Sequence, residues 1–230
     1  MNRFLKRISD ALGVGKKYYN GYLINYFDEL FKKIEKNHIS PDNAKLKVKD
    51  IFLSNKNLKD EFLKINDGAK NKLKIIGSKI RLFYRIRFGI IYVDINEYEP
   101  IHYHNNFISF QVILEGKCRL HEYDKIKINK NKISYKSFPE QFLDINDVML
   151  NFSKYRNIHG FGSVDKPLTI LSIGKYYGLF GKFHLNTLLN FNSGRNYLDI
   201  NNQNSIGKDI YEASFIENDE AYMKYSKILK

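Results

Sequence analysis

Cysteine is almost missing from this chain: Cys118 stands alone among the 230 residues. That excludes an internal disulfide framework and every thiolate-rich zinc site, so any metal must be held mainly by nitrogen and oxygen. No uncharged apolar run approaches the roughly 18 residues that a membrane-spanning helix needs. The start, Met1 to Arg7, lacks the apolar stretch and small-residue cleavage site of a secretory signal. A cytoplasmic protein without a membrane partner is therefore the expectation. Long blocks of one charge are also missing. The formal net charge is +13, but lysines are spread along the chain among Asn and Ile, with no block of five or more like charges. This argues against nucleic acid as the partner, although clustered cations would have favoured it. No internal repeat is visible, and 43% hydrophobic content suffices for one sizeable core.

What is present divides into three stretches. Residues 1–80 read as a helical N-terminal region: Leu23, Tyr26, Phe27, Leu30, Phe31 and Ile34 recur at three-and-four spacing, which makes one buried helix face. Ser40-Pro41 reads as a helix restart, with Ser40 as N-cap and Pro41 at the first helical position. An aromatic stripe of this kind is core. From Ile80 the pattern changes to short β-branched and aromatic runs punctuated by Gly, Asn, Asp and Lys. Candidate strands follow closely up to Tyr177, which implies a mainly β sandwich or small barrel over 81–180. Residues 181–230 read as a C-terminal extension, turn-rich over 190–204 and ending in a helix near 216–229.

The chemistry sits in Pro100-Ile101-His102-Tyr103-His104. Two imidazoles separated by one residue share a face of any β-strand that carries them. A third candidate ligand, His159, follows a later apolar stretch. Three of the six histidines thus fit one site, and imidazole suits iron, copper, nickel and zinc. His38, His121 and His184 are not expected to bind metal. His38 closes a helix, where a cation is favoured.

Short strands, a His-x-His at the end of one and a lone later His resemble the cupin superfamily, whose fold is a double-stranded β-helix, or jelly roll. The usual first cupin motif carries a Glu before its Gly. Here Ser109 stands in that slot counted back from Gly116, and Glu115 has the opposite strand parity from the histidines. The implied site therefore has three histidines and no carboxylate, as in thiol dioxygenases of the cysteine dioxygenase type. The gap from His104 to His159 is similar to that family's, and Leu171-Ser172-Ile173-Gly174-Lys175-Tyr176 resembles its terminal strand, where a Ser and a Tyr lie near the iron. Ser172 and Tyr176 take those places. Gly174 replaces the intervening family His. The family's cross-linking cysteine corresponds to Ser109, so a Cys-Tyr cofactor cannot form.

The resemblance implies Fe(II), or another divalent metal, at His102, His104 and His159, with a small thiol and dioxygen as partners. Physically, three neutral imidazoles leave the ion's charge uncompensated, which favours an anionic thiolate. Tyr176 would then hydrogen-bond to the bound ligand. Arg85 or Arg87, which share a parity, or Arg156 would contact a substrate anion. Two alternatives stand beside this: a metal-binding cupin of other reaction type or a small-acid sensor, and a basic nucleic-acid-binding protein.

Overall fold

In the computed structural model, residues 21–65, 74–80, 84–104, 107–152, 154–177 and 195–227 are described; His184 and the start at Met1 lie outside them. Three helices come first: α1 (Gly21–Glu35), α2 (Pro41–Ser54) and α3 (Lys56–Ile65). The stripe on α1 buries Leu23, Phe27, Leu30, Phe31 and Ile34. Ser40 caps α2, its Oγ accepting from the Asn43 amide at 3.3 Å, with Pro41 at the helix start. Both features follow from local sequence alone.

The strands are β1 (Lys74–Ile80), β2 (Tyr84–Val93), β3 (Tyr98–His104), β4 (Phe107–Glu115), β5 (Cys118–Asn129), β6 (Lys132–Ser137), β7 (Gln141–Leu143), β8 (Val148–Phe152), β9 (Ile158–Ser163), β10 (Leu168–Tyr177), β11 (Arg195–Leu198), β12 (Asn204–Gly207) and β13 (Ile210–Ile216); α4 (Asn218–Tyr225) follows. One sheet has the order β1-β2-β10-β4-β8 and the other β11-β3-β9-β5-β6-β13-β12, with β7 added beside β5. Consecutive strands alternate between the sheets from β2 to β5 and again from β7 to β10, while β5, β6 and β7 stay together in the second sheet. The protein is thus mainly β, a double-stranded β-helix or jelly roll, with helices at its N-terminal side.

Three segments depart from the sequence expectation, one of them the paired β12 and β13 within the stretch read as a C-terminal extension. The strands begin at Lys74 rather than near Ile80, because β1 pairs antiparallel with β2 through an irregular register at Ile75 and Gly77. Bulged pairing blurs the period-two signal. Arg195–Leu198, in the stretch read as turn-rich, is a strand that pairs with both β3 and β13. A four-residue strand has too few positions to show alternation, and only its neighbours define it. This double pairing returns the second sheet on itself around Tyr98, Ile101, Tyr103, Ile133, Tyr135, Ile158, Leu198 and Ala213.

The five-stranded sheet has two unlike faces. Outward, Ile86, Phe88, Ile90, Ile108, Phe110, Val112, Leu150, Leu171 and Ile173 form one core with the helices. Phe27 lies 5.7 Å from Phe88 and Phe31 stacks on Phe110 at 5.4 Å. Inward, Ile91, Val93, Ile113, Met149, Leu168 and Ile170 meet Cys118, Leu120 and Phe161 of the second sheet. These residues close one end of the interior. The other end is polar.

Candidate metal centre

His102 and His104 project from one face of β3 by simple alternation, and antiparallel pairing sets His159 of β9 directly opposite His102. Their ligand atoms all lie within 4.8 Å of one another, and among the described residues no carboxylate or thiol joins this group. His102 and His159 are fully buried and His104 is nearly so. The ring centroids stand 4.5, 4.6 and 5.2 Å apart.

Protonation is constrained by the neighbours. His102 Nδ1 lies 2.7 Å from the Pro100 carbonyl oxygen, and a carbonyl only accepts, so Nδ1 carries the proton and Nε2 presents a lone pair. That Nε2 faces His104 Nε2 at 2.8 Å. Burial holds the pKa of all three imidazoles well below the ordinary value, with the neighbouring Arg195 or the other rings adding to it. The rings are neutral at physiological pH, as ligands must be. His104 Nδ1 and both nitrogens of His159 are buried without a hydrogen-bond partner. Each such orphan costs about 1–3 kcal/mol, a cost that coordination offsets at one nitrogen of a ring. The donor set and the orphaned nitrogens fit a divalent metal ion; nothing in them selects its identity.

A carboxylate does stand behind the cluster. Glu99 Oε1 is 3.8 Å from His102 Nδ1. It accepts from Arg195 Nη1 at 2.6 Å and from the Tyr197 hydroxyl at 3.2 Å, while Oε2 accepts from the Tyr222 hydroxyl at 2.6 Å. Burial alone would lower the Arg195 pKa, but Glu99 and Tyr197 outweigh it and hold it above its usual value. Register places Arg195 opposite His104 and Tyr197 opposite His102. Sequence reasoning missed all four residues. Only the His-rich strand offered a signal, since Glu99 lies three residues before His102 in a locally irregular pairing.

On the facing sheet, Phe107 packs on His104 at 4.2 Å and on Tyr176 at 5.3 Å. Arg87 lies over the Tyr176 ring at 4.3 Å and donates to its hydroxyl at 2.6 Å. The structure thus brings His102, His104, His159, Arg87 and Tyr176 into one chain of contacts. A Cβ on Gly174 would meet the Tyr176 ring at 2.7 Å, so the space above this glycine is filled by the folded-back tyrosine. Arg85 pairs in register with Tyr176; it is buried, its Nε has no partner, and burial plus the charge of Arg87 pull its pKa down to about 10. Ser172 is buried on the same face between Gly89 and Gln111.

Arg156 packs against other groups, with its Nη1 buried and unpartnered. Its guanidinium stacks on Phe138 at 3.2 Å and its Nε lies 3.7 Å from Glu122. His121 lies outside the cluster, bound to the Tyr98 hydroxyl at 2.8 Å and to Glu140 at 2.9 Å. His38 is exposed. Cys118 is buried and burial raises its thiol pKa, which keeps it protonated. No helix among the described residues is long and apolar enough to cross a membrane.

No protein-family model matches the chain and no curated protein matches it. Solved structures do. A cupin-2 domain containing protein from Shewanella frigidimarina is 13% identical over 50% of this chain and 87% of its own, with a TM-score of 0.34. An uncharacterized conserved protein with a double-stranded β-helix domain from Klebsiella pneumoniae is 10% identical over 49% and 83%, with a TM-score of 0.33. The L-ribose isomerase of Cellulomonas parahominis is 13% identical over 40% and 49%, with a TM-score of 0.31. The fold assignment rests on the strand order and not on these distant likenesses.

Proposed function

We propose that this chain is a cupin-type non-haem iron dioxygenase that oxidises a small thiol to a sulfinate. The observation that carries this reading is the buried, neutral group of three histidines with orphaned nitrogens and no carboxylate among the ligands. An iron(II) ion held there would supply dioxygen activation and attract a thiolate, because the ligands leave its double charge uncompensated. The overall change balances without an external reductant: sulfur in R–SH loses four electrons, dioxygen gains four, and both oxygen atoms end in R–SO2H.

The chain's own groups have separable tasks. Arg87 donates to the Tyr176 oxygen, which leaves the phenolic proton free to point at a ligand beside Phe107. Arg85 offers an unpartnered N–H to an anion, in a setting dry enough to strengthen the contact. The apolar floor of Ile113, Leu120, Met149 and Phe161 excludes water from the buried end. Ser172 shares this face and supports the substrate side.

The test is metal analysis of purified protein, then anaerobic loading with iron(II), addition of oxygen and a panel of small thiols, with sulfinate read by mass spectrometry. Iron in the site and sulfinate from at least one thiol are expected. A zinc-filled site and a silent panel overturn the reading. A second reading, a metal-binding cupin of other reaction type or a small-acid sensor, draws on the unpartnered Arg85 Nε. It needs the anion contact but no oxygen chemistry, so metal identity separates the two.

A further inference from the structure

Across the interior face of the five-stranded sheet, residues stand in register rows. Phe107, Tyr176 and Arg85 form one row; Asn151, Ser109, Gly174 and Arg87 form the next; Met149, Gln111, Ser172 and Gly89 form the third. Three neutral side chains in these rows carry unsatisfied acceptors: Ser109 Oγ, Gln111 Oε1 and Asn151 Oδ1. All three residues are buried, with relative exposures of 0%, 4% and 0%. The Asn151 amide is oriented by its other end, because Nδ2 donates to the Arg156 carbonyl at 2.6 Å. Oδ1 is therefore fixed as the free acceptor. Interiors seldom leave several acceptors on one face unpaired, since each forfeits its hydration.

We infer that Ser109, Gln111 and Asn151 form a subsite for an uncharged O–H or N–H donor carried by a small anionic ligand. This rests on the same interior that the proposed function uses and narrows its ligand class. The charges decide between a neutral donor and an ammonium. Arg87 stands in the same row as Ser109 and Asn151, and Arg85 in the row beside it. The nearby carboxylates are engaged: Glu122 with Gln141 at 3.1 Å and with Arg156, and Glu99 with Arg195, Tyr197 and Tyr222. A second cation among two guanidiniums and a divalent ion would be repelled. A hydroxyl satisfies the acceptors without that penalty.

The test uses three probes that differ at one group: 3-hydroxypropionate, propionate and β-alanine, titrated calorimetrically into the metal-loaded full chain. The hydroxy acid is expected to bind about tenfold more tightly than propionate, the scale of one hydrogen bond, and β-alanine more weakly than propionate. Ser109→Ala and Gln111→Leu are each expected to remove most of the hydroxyl advantage while leaving propionate binding unchanged. Four outcomes overturn the inference: no binding of any probe, equal affinity for the hydroxy acid and propionate, tightest binding by β-alanine, or a preference that survives both substitutions as direct chelation of the metal would. Sulfinate formation measured on the same preparation separates the two readings. Sulfinate without the hydroxyl preference removes this subsite alone; the preference without sulfinate removes the dioxygenase reading and keeps the subsite.

Discussion

The two faces of the five-stranded sheet are built from the same strands one residue out of phase, yet they obey opposite rules. On β4, Ile108, Phe110 and Val112 turn outward into the helices, while Phe107, Ser109 and Gln111 turn inward. The outer face is mainly apolar, and its buried Lys175 is paired with Glu35 at 2.9 Å while the Tyr84 hydroxyl donates to Asp28. The inner face leaves polar atoms unpartnered near neutral imidazoles. The lesson is that stability and chemistry are separated by the pleat: the outer face drives folding through burial, which lets the inner face keep groups that cost free energy.

That separation can be broken most severely at the histidines. His102→Ala is expected to lower metal retention more than about a hundredfold, beyond the 10–100-fold typical of supporting partners, and to abolish thiol oxidation. The thermal transition of the metal-free protein should move little; elemental analysis and a melting curve check both. Retained metal in this variant sinks the three-histidine site.

The converse substitution lies on the outer face. Phe110→Ala removes a fully buried ring packed between Phe27 and Phe31 and should cost about 3–5 kcal/mol, measured by urea unfolding. Metal affinity of the folded fraction should stay as it was. A large loss of affinity at equal folded fraction would show that the two faces are energetically one.

Glu99→Gln sharpens the contrast from the second sheet. The carboxylate behind His102 holds Arg195 and Tyr222 in place, so its neutralisation is expected to weaken metal binding by about 10–100-fold. Competition with a chelator reads this directly. An affinity within twofold of the parent would assign Glu99 to folding alone.

The smallest effect concerns Glu122, which lies opposite His159 on the adjoining strand. Burial raises its carboxyl pKa, more than Arg156 lowers it. Because the folded pKa is above the unfolded one, the folded state takes up this proton first, and the stabilisation is complete below the unfolded value of about 4.5. It is lost as pH rises through the folded value. Glu122→Gln should flatten this part of the stability profile by a few tenths of a kcal/mol to about 1 kcal/mol, seen by unfolding at several pH values. An unchanged profile would show that Arg156 already compensates the buried charge.

Much of this was legible along the chain wherever the cause was local. The α1 stripe, the Ser40 cap and the β-branched, aromatic and apolar runs of β2, β4 and β10 each follow from residues close together in the chain. His102 and His104 were equally readable by strand parity; His159 was named from its place beyond the next apolar runs, and only register sets it opposite His102. Tyr176 and Arg87 were each named as candidates, but their hydrogen bond was not legible, because it needs the register of β10 on β2. The surroundings of Arg156, named as a candidate anion contact, were not legible, because a charge in a sequence carries no record of its partner; folding sets Phe138 and Glu122 against it. The strand Arg195–Leu198 was invisible for the same reason.

The sequence by itself determined that a β-rich interior would carry two aligned imidazoles and no thiolate, since alternation and composition need no knowledge of distant neighbours. Tertiary structure alone decided that His159 meets them, that Glu99, Arg195 and Tyr222 gather behind His102, and that Tyr176 covers Gly174. These are encounters between segments tens of residues apart, fixed by strand register and by the packing of the two sheets, and no local pattern encodes where such partners stand.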